Sequence, residues 1–138
     1  MPEGRFVTVT RGELENWLRA YGEAWTSRDP NKVSVLFSED ASYQVTPFTR
    51  PAVGRDEIRA YWAEATANHR EVRFRFEILS IQDEVSIIHW STAYSRASGG
   101  ERAALDGIFV LRFTEQALCE ELHEWWHQHA PSEQSEDR

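Results

Sequence analysis

The densest chemistry in the chain lies in His123-Glu124-Trp125-Trp126-His127. On a helix, residues four apart share a face. Both imidazoles could then hold one zinc ion with the glutamate as general base, the H-E-x-x-H arrangement of a metalloprotease. On a strand, at ~3.3 Å per residue, the two histidines stand roughly 13 Å apart and successive side chains face opposite ways. Leu122, Glu124 and Trp126 then share one face, and His123, Trp125 and His127 the other. The apolar spacing over 118–129 fits a helix as well, so the neighbouring residues decide. A zincin needs a third protein ligand, and its longer motif would require glycine at Ala130 and histidine at Glu133. Neither is present, and the run Gly107 to Phe113 needs a strand partner. We therefore read 123–127 as a strand and expect no metal and no other cofactor, with a zinc hydrolase as the remote alternative. If the face of Glu124 and Trp126 is the inner one, desolvation raises the carboxyl pKa toward a value useful for proton transfer. The plainer alternative is a rim carboxylate that satisfies an arginine or an indole N–H.

The elements that must position this strand can be read in order. Residues 1–9 form an arm, and Thr10-Arg11-Gly12-Glu13 has the spacing of a capping box. Leu14, Trp17, Leu18, Tyr21 and Trp25 then mark one helical face until Asp29-Pro30 starts a second short helix that buries Val33, Leu36 and Phe37. Ala41 to Thr46 has strand composition, Pro47 to Gly54 is a loop, and a third helix runs from Arg55 to about Asn68-His69. From Val72 the period becomes two, with a phase slip at Leu79 that predicts a bulge. Val85 to Arg96 is a second long strand, Ser98-Gly99-Gly100-Glu101 a hairpin turn, and Leu105 to Phe113 a third strand. Helices followed by antiparallel strands predict an α+β domain over 10–129, helices packed on one face of a curved sheet. The polar tail 130–138 is expected to be disordered.

Composition bounds the partners. A net charge of -8, from 23 acidic and 15 basic residues, argues against nucleic acid and anionic membrane surfaces. No apolar run approaches a membrane span, and Met1-Pro2-Glu3-Gly4-Arg5 lacks a secretory signal, so a cytoplasmic protein is expected. The one cysteine, Cys119, reads as a small buried hydrophobe. His89 alternates with Trp90 and should face outward, toward a second copy. Asp106 should lie outside any cavity. His69, at a helix end, is explained by the helix dipole.

Several pieces in order resemble the nuclear transport factor 2-like superfamily, specifically its SnoaL-like and ketosteroid isomerase-like members, over about residues 10 to 128. They are Trp17-Leu18-Arg19-Ala20-Tyr21, Phe37-Ser38-Glu39-Asp40-Ala41, Pro47-Phe48, Val53 through Trp62, Ala104 through Phe113, and Glu124-Trp125-Trp126. The resemblance implies a cone: three N-terminal helices on a strongly curved, mostly antiparallel sheet that encloses an apolar pocket, commonly dimeric through the outer sheet face. Tyr21 matches the tyrosine that donates to the enolate oxygen in ketosteroid isomerase. The family's base falls on Val45 or Thr46, its protonated aspartate on Phe109 and a supporting tyrosine on Trp62, so the resemblance argues against that isomerase mechanism. For limonene epoxide hydrolase, Ile88 and Trp90 replace the arginine and first aspartate, and only the last acid survives, as Glu124. SnoaL-type cyclases likewise carry an acid on the closing strand.

The implied catalytic residues are therefore Glu124 and Tyr21, and the implied pocket lining is Trp17, Phe37, Thr46, Phe48, Trp62, Trp90, Phe109 and Trp126. The function these imply is a small-molecule pocket protein whose acid/base chemistry, as isomerase, cyclase or hydrolase, acts on an apolar or aromatic ligand. The alternative is a non-catalytic binder or dimeric interaction module.

Overall fold

Thr10 starts the first helix as the spacing predicts. Its hydroxyl accepts from the Glu13 N–H at 3.0 Å, and the Glu13 carboxylate accepts from the Thr10 N–H at 2.9 Å. The computed structural model describes residues 6–129. Helix α1, Arg11–Ser27, ends at Arg28 in the left-handed region, and Asp29 caps the five-residue α2, Pro30–Ser34. Strand β1, Phe37–Gln44, and the two-residue β2, Ala52–Val53, precede helix α3, Arg55–Ala65. Four long strands follow: β3, His69–Gln82; β4, Val85–Arg96; β5, Arg102–Phe113; and β6, Cys119–His129.

The strands make one sheet in the order β2-β1-β6-β5-β4-β3. Every pairing is antiparallel except β1 with β6, which is parallel. Three helices thus pack on a curved, mostly antiparallel sheet, the expected α+β cone. Ile78 opposes Ile88 and Ser80 opposes Ile87, so Leu79 is the extra residue of the predicted bulge and projects outward, half exposed. A second irregularity separates Arg70 from Arg73, where Glu71 takes a positive φ of 54°.

Two boundaries differ from the sequence reading. Phe37 begins β1 instead of ending α2, because the chain has already docked on β6: the Leu36 carbonyl accepts from the Cys119 N–H at 3.0 Å and from the Trp17 indole at 2.9 Å. Helix α3 stops at Ala65, and His69 opens β3 opposite Arg96. Residues 1–5 and the expected tail 130–138 lie outside the described residues. Within the expected arm, Val7 bridges to Phe113 and Val9 is buried.

The core lies between α1, α3 and the inner sheet face. Leu14, Leu18, Ile58, Ile88, Leu111 and Leu122 are fully buried there, each contributing roughly 1.5–3 kcal/mol on leaving water. Trp17, Tyr21 and Trp25 descend one face of α1. Tyr21 stacks on Trp17 at 5.2 Å and meets Trp62 and Phe109 edge-on.

Candidate functional site

Strand β6 is extended through the whole histidine-glutamate segment, so the two imidazoles and the carboxylate do not converge as a helix would bring them. Leu122, Glu124 and Trp126 face inward, and His123, Trp125 and His127 lie on the other face. Glu124 opposes Phe109 across the ladder and is 6% exposed. Burial drops steadily along this inner row: Leu122 is sealed, Trp126 is half-buried and Gln128 is exposed. The row therefore runs from the floor of a cavity at Glu124 to its mouth at Gln128.

The cavity has a volume of about 170 Å³. An apolar protein cavity of roughly 150 Å³ holds one benzene, so this one has room for a single-ring molecule. Aromatic rings make most of the wall, and Glu124 is the only carboxyl among the residues lining it. Burial pushes the Glu124 carboxyl up to about 8, an effect that the Tyr43 hydroxyl partly offsets. Tyr43 and Tyr21 share a hydrogen bond of 3.1 Å between their hydroxyls. Burial, and then the charge of Glu124, raise both phenols well above their ordinary value, so they remain O–H groups. Tyr61 is raised for the same two reasons. The result is a polar spine, Tyr21 to Tyr43 to Glu124, in an aromatic shell.

Of the residues expected at the site, Glu124, Tyr21, Trp62, Trp90 and Trp126 line the cavity. Trp126 is fixed by its indole N–H, which donates to the Val45 carbonyl at 2.9 Å. The other five do not line it. Trp17 and Phe37 pack edge-to-face in the core beyond Tyr21, and Phe109 lies behind Trp90, stacked at 5.0 Å. Thr46 and Phe48 belong to a loop that bonds to itself: the Gln44 amide donates to the Thr46 and Thr49 carbonyls, and the Thr46 and Thr49 hydroxyls pair. Phe48, at the tip of this loop, is 97% exposed.

Two functional candidates escaped the sequence reading. Tyr43 was accessible through alternation, since Ala41, Tyr43 and Val45 share one face of the predicted strand. His69 was not, because the strand was started three residues late and the irregularity at Glu71 breaks the count back from Phe74. Its ring stacks on Tyr94 at 3.8 Å and receives the Trp25 indole N–H on Nδ1 at 3.1 Å. Burial, then the charges of Arg96 and Arg28, push it down to about 4, so it is neutral. The helix-dipole reading of His69 is thus replaced by a place in the cavity wall.

The outer sheet face carries the remaining chemistry. His89 Nε2 lies 3.0 and 3.1 Å from the two Asp106 oxygens and Nδ1 lies 3.7 Å from Glu77, which places both His89 and Asp106 outside the cavity. The hydrogen bond to Asp106 raises the His89 pKa. Cys119 is buried, its thiol pushed up by that burial, as a small core residue would be.

Solved structures share this fold at low identity. The epoxide hydrolase/cyclase-like enzyme SalBIII, described for pyran ring formation in the polyether salinomycin, superposes with a TM-score of 0.74 at 13% identity, covering 86% of this chain and 96% of its own. RV0760c from Mycobacterium tuberculosis gives 0.74 at 12% identity over 88% of this chain and 98% of its own. A protein with a ketosteroid isomerase-like fold from Catenulispora acidiphila, solved with trimethylamine, gives 0.69 at 19% identity over 85% and 86%. No curated protein matches by sequence. The family model of the SnoaL-like domain matches residues 18–121, from the middle of α1 into β6. By that match and this fold, the chain belongs to the SnoaL-like domain family of the nuclear transport factor 2-like superfamily.

Proposed function

We propose that this protein binds a small apolar or aromatic molecule in the cavity and performs acid/base chemistry on it, with Glu124 as the proton carrier. One observation carries the reading: the cavity's single carboxyl is buried and has a pKa of about 8, so it holds its proton near neutral pH and can exchange it there. Tyr43 is the hydroxyl beside it, and Tyr21 orients Tyr43. A protonated carboxyl in an aromatic cavity suits a neutral ligand with a basic oxygen. In a ring-opening or ring-closing step, the Glu124 O–H proton passes to the departing oxygen as its C–O bond breaks. The resulting carboxylate takes the proton of the incoming hydroxyl, from water or from the same molecule. The fold likeness to an epoxide hydrolase/cyclase-like enzyme agrees with this class of chemistry.

We further infer a homodimer through the outer sheet face, where the half-exposed Trp125 pairs across the ladder with Ile108. Among the described residues no helix is long and apolar enough to cross a membrane, and we assign a cytoplasmic setting.

The test is direct observation of the carboxyl by ¹³C NMR. A Glu124 side-chain resonance that titrates near pH 8 supports the reading, and one that titrates near 4.5 sinks it. Against a panel of single-ring epoxides and enones, Glu124→Gln should abolish turnover while leaving binding within about threefold, since the amide is nearly isosteric.

A further inference from the structure

His69 stands at the opposite pole of the cavity from Glu124. It pairs with Arg96 in the ladder, beside Tyr94, whereas Glu124 pairs with Phe109 two ladder positions below Trp126. An indole N–H can only donate, so a Trp25 Nε1 that donates to His69 Nδ1 leaves that nitrogen without a proton. The ring is neutral, and its one N–H must therefore sit on Nε2. The stack on Tyr94 holds the plane of the ring, and the Trp25 bond sets its rotation. Among the described residues Nε2 has no hydrogen-bond partner. His69 thus brings a fixed, uncharged donor to a cavity whose lining also includes the buried, unpartnered indole N–H groups of Trp62 and Trp90.

We propose that His69 anchors the ligand, with its Nε2–H donating to an oxygen acceptor on a neutral, single-ring molecule whose other end meets Glu124. A cyclic ketone, lactone or ether fits. A carboxylate does not, because its charge would be desolvated against aromatic walls whose lining includes no lysine or arginine. Trp25 acts one step back as a positioning residue that selects the tautomer. The assignment of the far end rests on the acid/base reading of Glu124, while the donor role of His69 does not.

The probes are cyclohexanone and methylenecyclohexane, which share a shape but differ in whether the exocyclic atom accepts a hydrogen bond. Long-range ¹H–¹⁵N NMR on the ligand-free protein should show His69 as the Nε2–H tautomer. Cyclohexanone should shift the Nε2 resonance and bind about fivefold more tightly than the alkene, the worth of one ordinary hydrogen bond. That preference should vanish in His69→Phe, which keeps the stack on Tyr94, and persist in Glu124→Gln. In Trp25→Phe the tautomers should mix and the preference shrink. An Nδ1–H tautomer in the wild type, or no preference for the ketone, overturns the proposal. If the preference survives His69→Phe and disappears in Glu124→Gln, the acceptor sits on the carboxyl, and the anchor fails while the acid/base reading stands. If His69 responds but Glu124 titrates near 4.5, the anchor stands and the acid/base reading fails.

Discussion

Glu124 keeps its proton at a pH where an exposed glutamate has lost it, and this has a thermodynamic sign. The folded pKa, about 8, lies above the ordinary 4.5, so the folded chain holds a proton that the unfolded chain releases. The stabilising contribution is complete below pH 4.5 and is lost as pH rises through 8. At ~1.4 kcal/mol per pH unit, roughly 5 kcal/mol disappears across that window. Glu124→Gln should flatten the stability profile between pH 5 and 8, as urea denaturation at several pH values would reveal; a slope that persists in the variant would place the titrating group elsewhere. Tyr43 pulls the carboxyl downward, so Tyr43→Phe should move the Glu124 midpoint above about 8 in the same NMR titration. A midpoint that falls or stays put would remove Tyr43 from the spine.

Strand β5 shows how an element shapes the site through a residue with no side chain. A Cβ on Gly107 would collide with the Trp125 carbonyl and come within 2.9 Å of Trp126 Cβ and 3.0 Å of Trp90 Cζ2. Gly107→Ala should cost about 2 kcal/mol by overpacking and disturb both cavity tryptophans, measurable as a lower urea midpoint with altered tryptophan fluorescence; wild-type stability would show that the strands part freely there. The long strands were legible in the sequence because each has one buried face, so period two runs through the strands between Val72 and Phe113 and even exposes the bulge at Leu79. The cavity lining was less so. Alternation tells which residues share one side of a strand, as Glu124 and Trp126 do on β6. It cannot tell cavity wall from the layer behind it, which is why Phe109 lies behind Trp90 and not in the wall. Thr46 and Phe48 failed for another reason: the loop satisfies its own hydrogen bonds and so turns Phe48 away from the pocket.

At the scale of the whole molecule, the outer sheet face should pair with a second copy. Trp125→Arg should convert a dimer to a monomer in sedimentation equilibrium, and an unchanged mass in both proteins would discard that interface. The parallel seam between β1 and β6 has a different consequence. Strands β3 to β6 are joined in sequence by short turns, and they can assemble from neighbours along the chain. The seam brings together residues about 80 apart, as in the bond from Trp126 to Val45, and closing so long a segment costs roughly 2 kcal/mol more entropy than closing a five-residue hairpin loop. Tyr43 and Glu124 lie on opposite sides of this seam. The cavity floor is thus the last region expected to order on refolding. In weakly buffered solution near pH 6.5, a stopped-flow indicator dye should register an uptake that exceeds that of Glu124→Gln by close to one proton per chain. That uptake should lag the first change in tryptophan fluorescence, giving the seam a clock of its own.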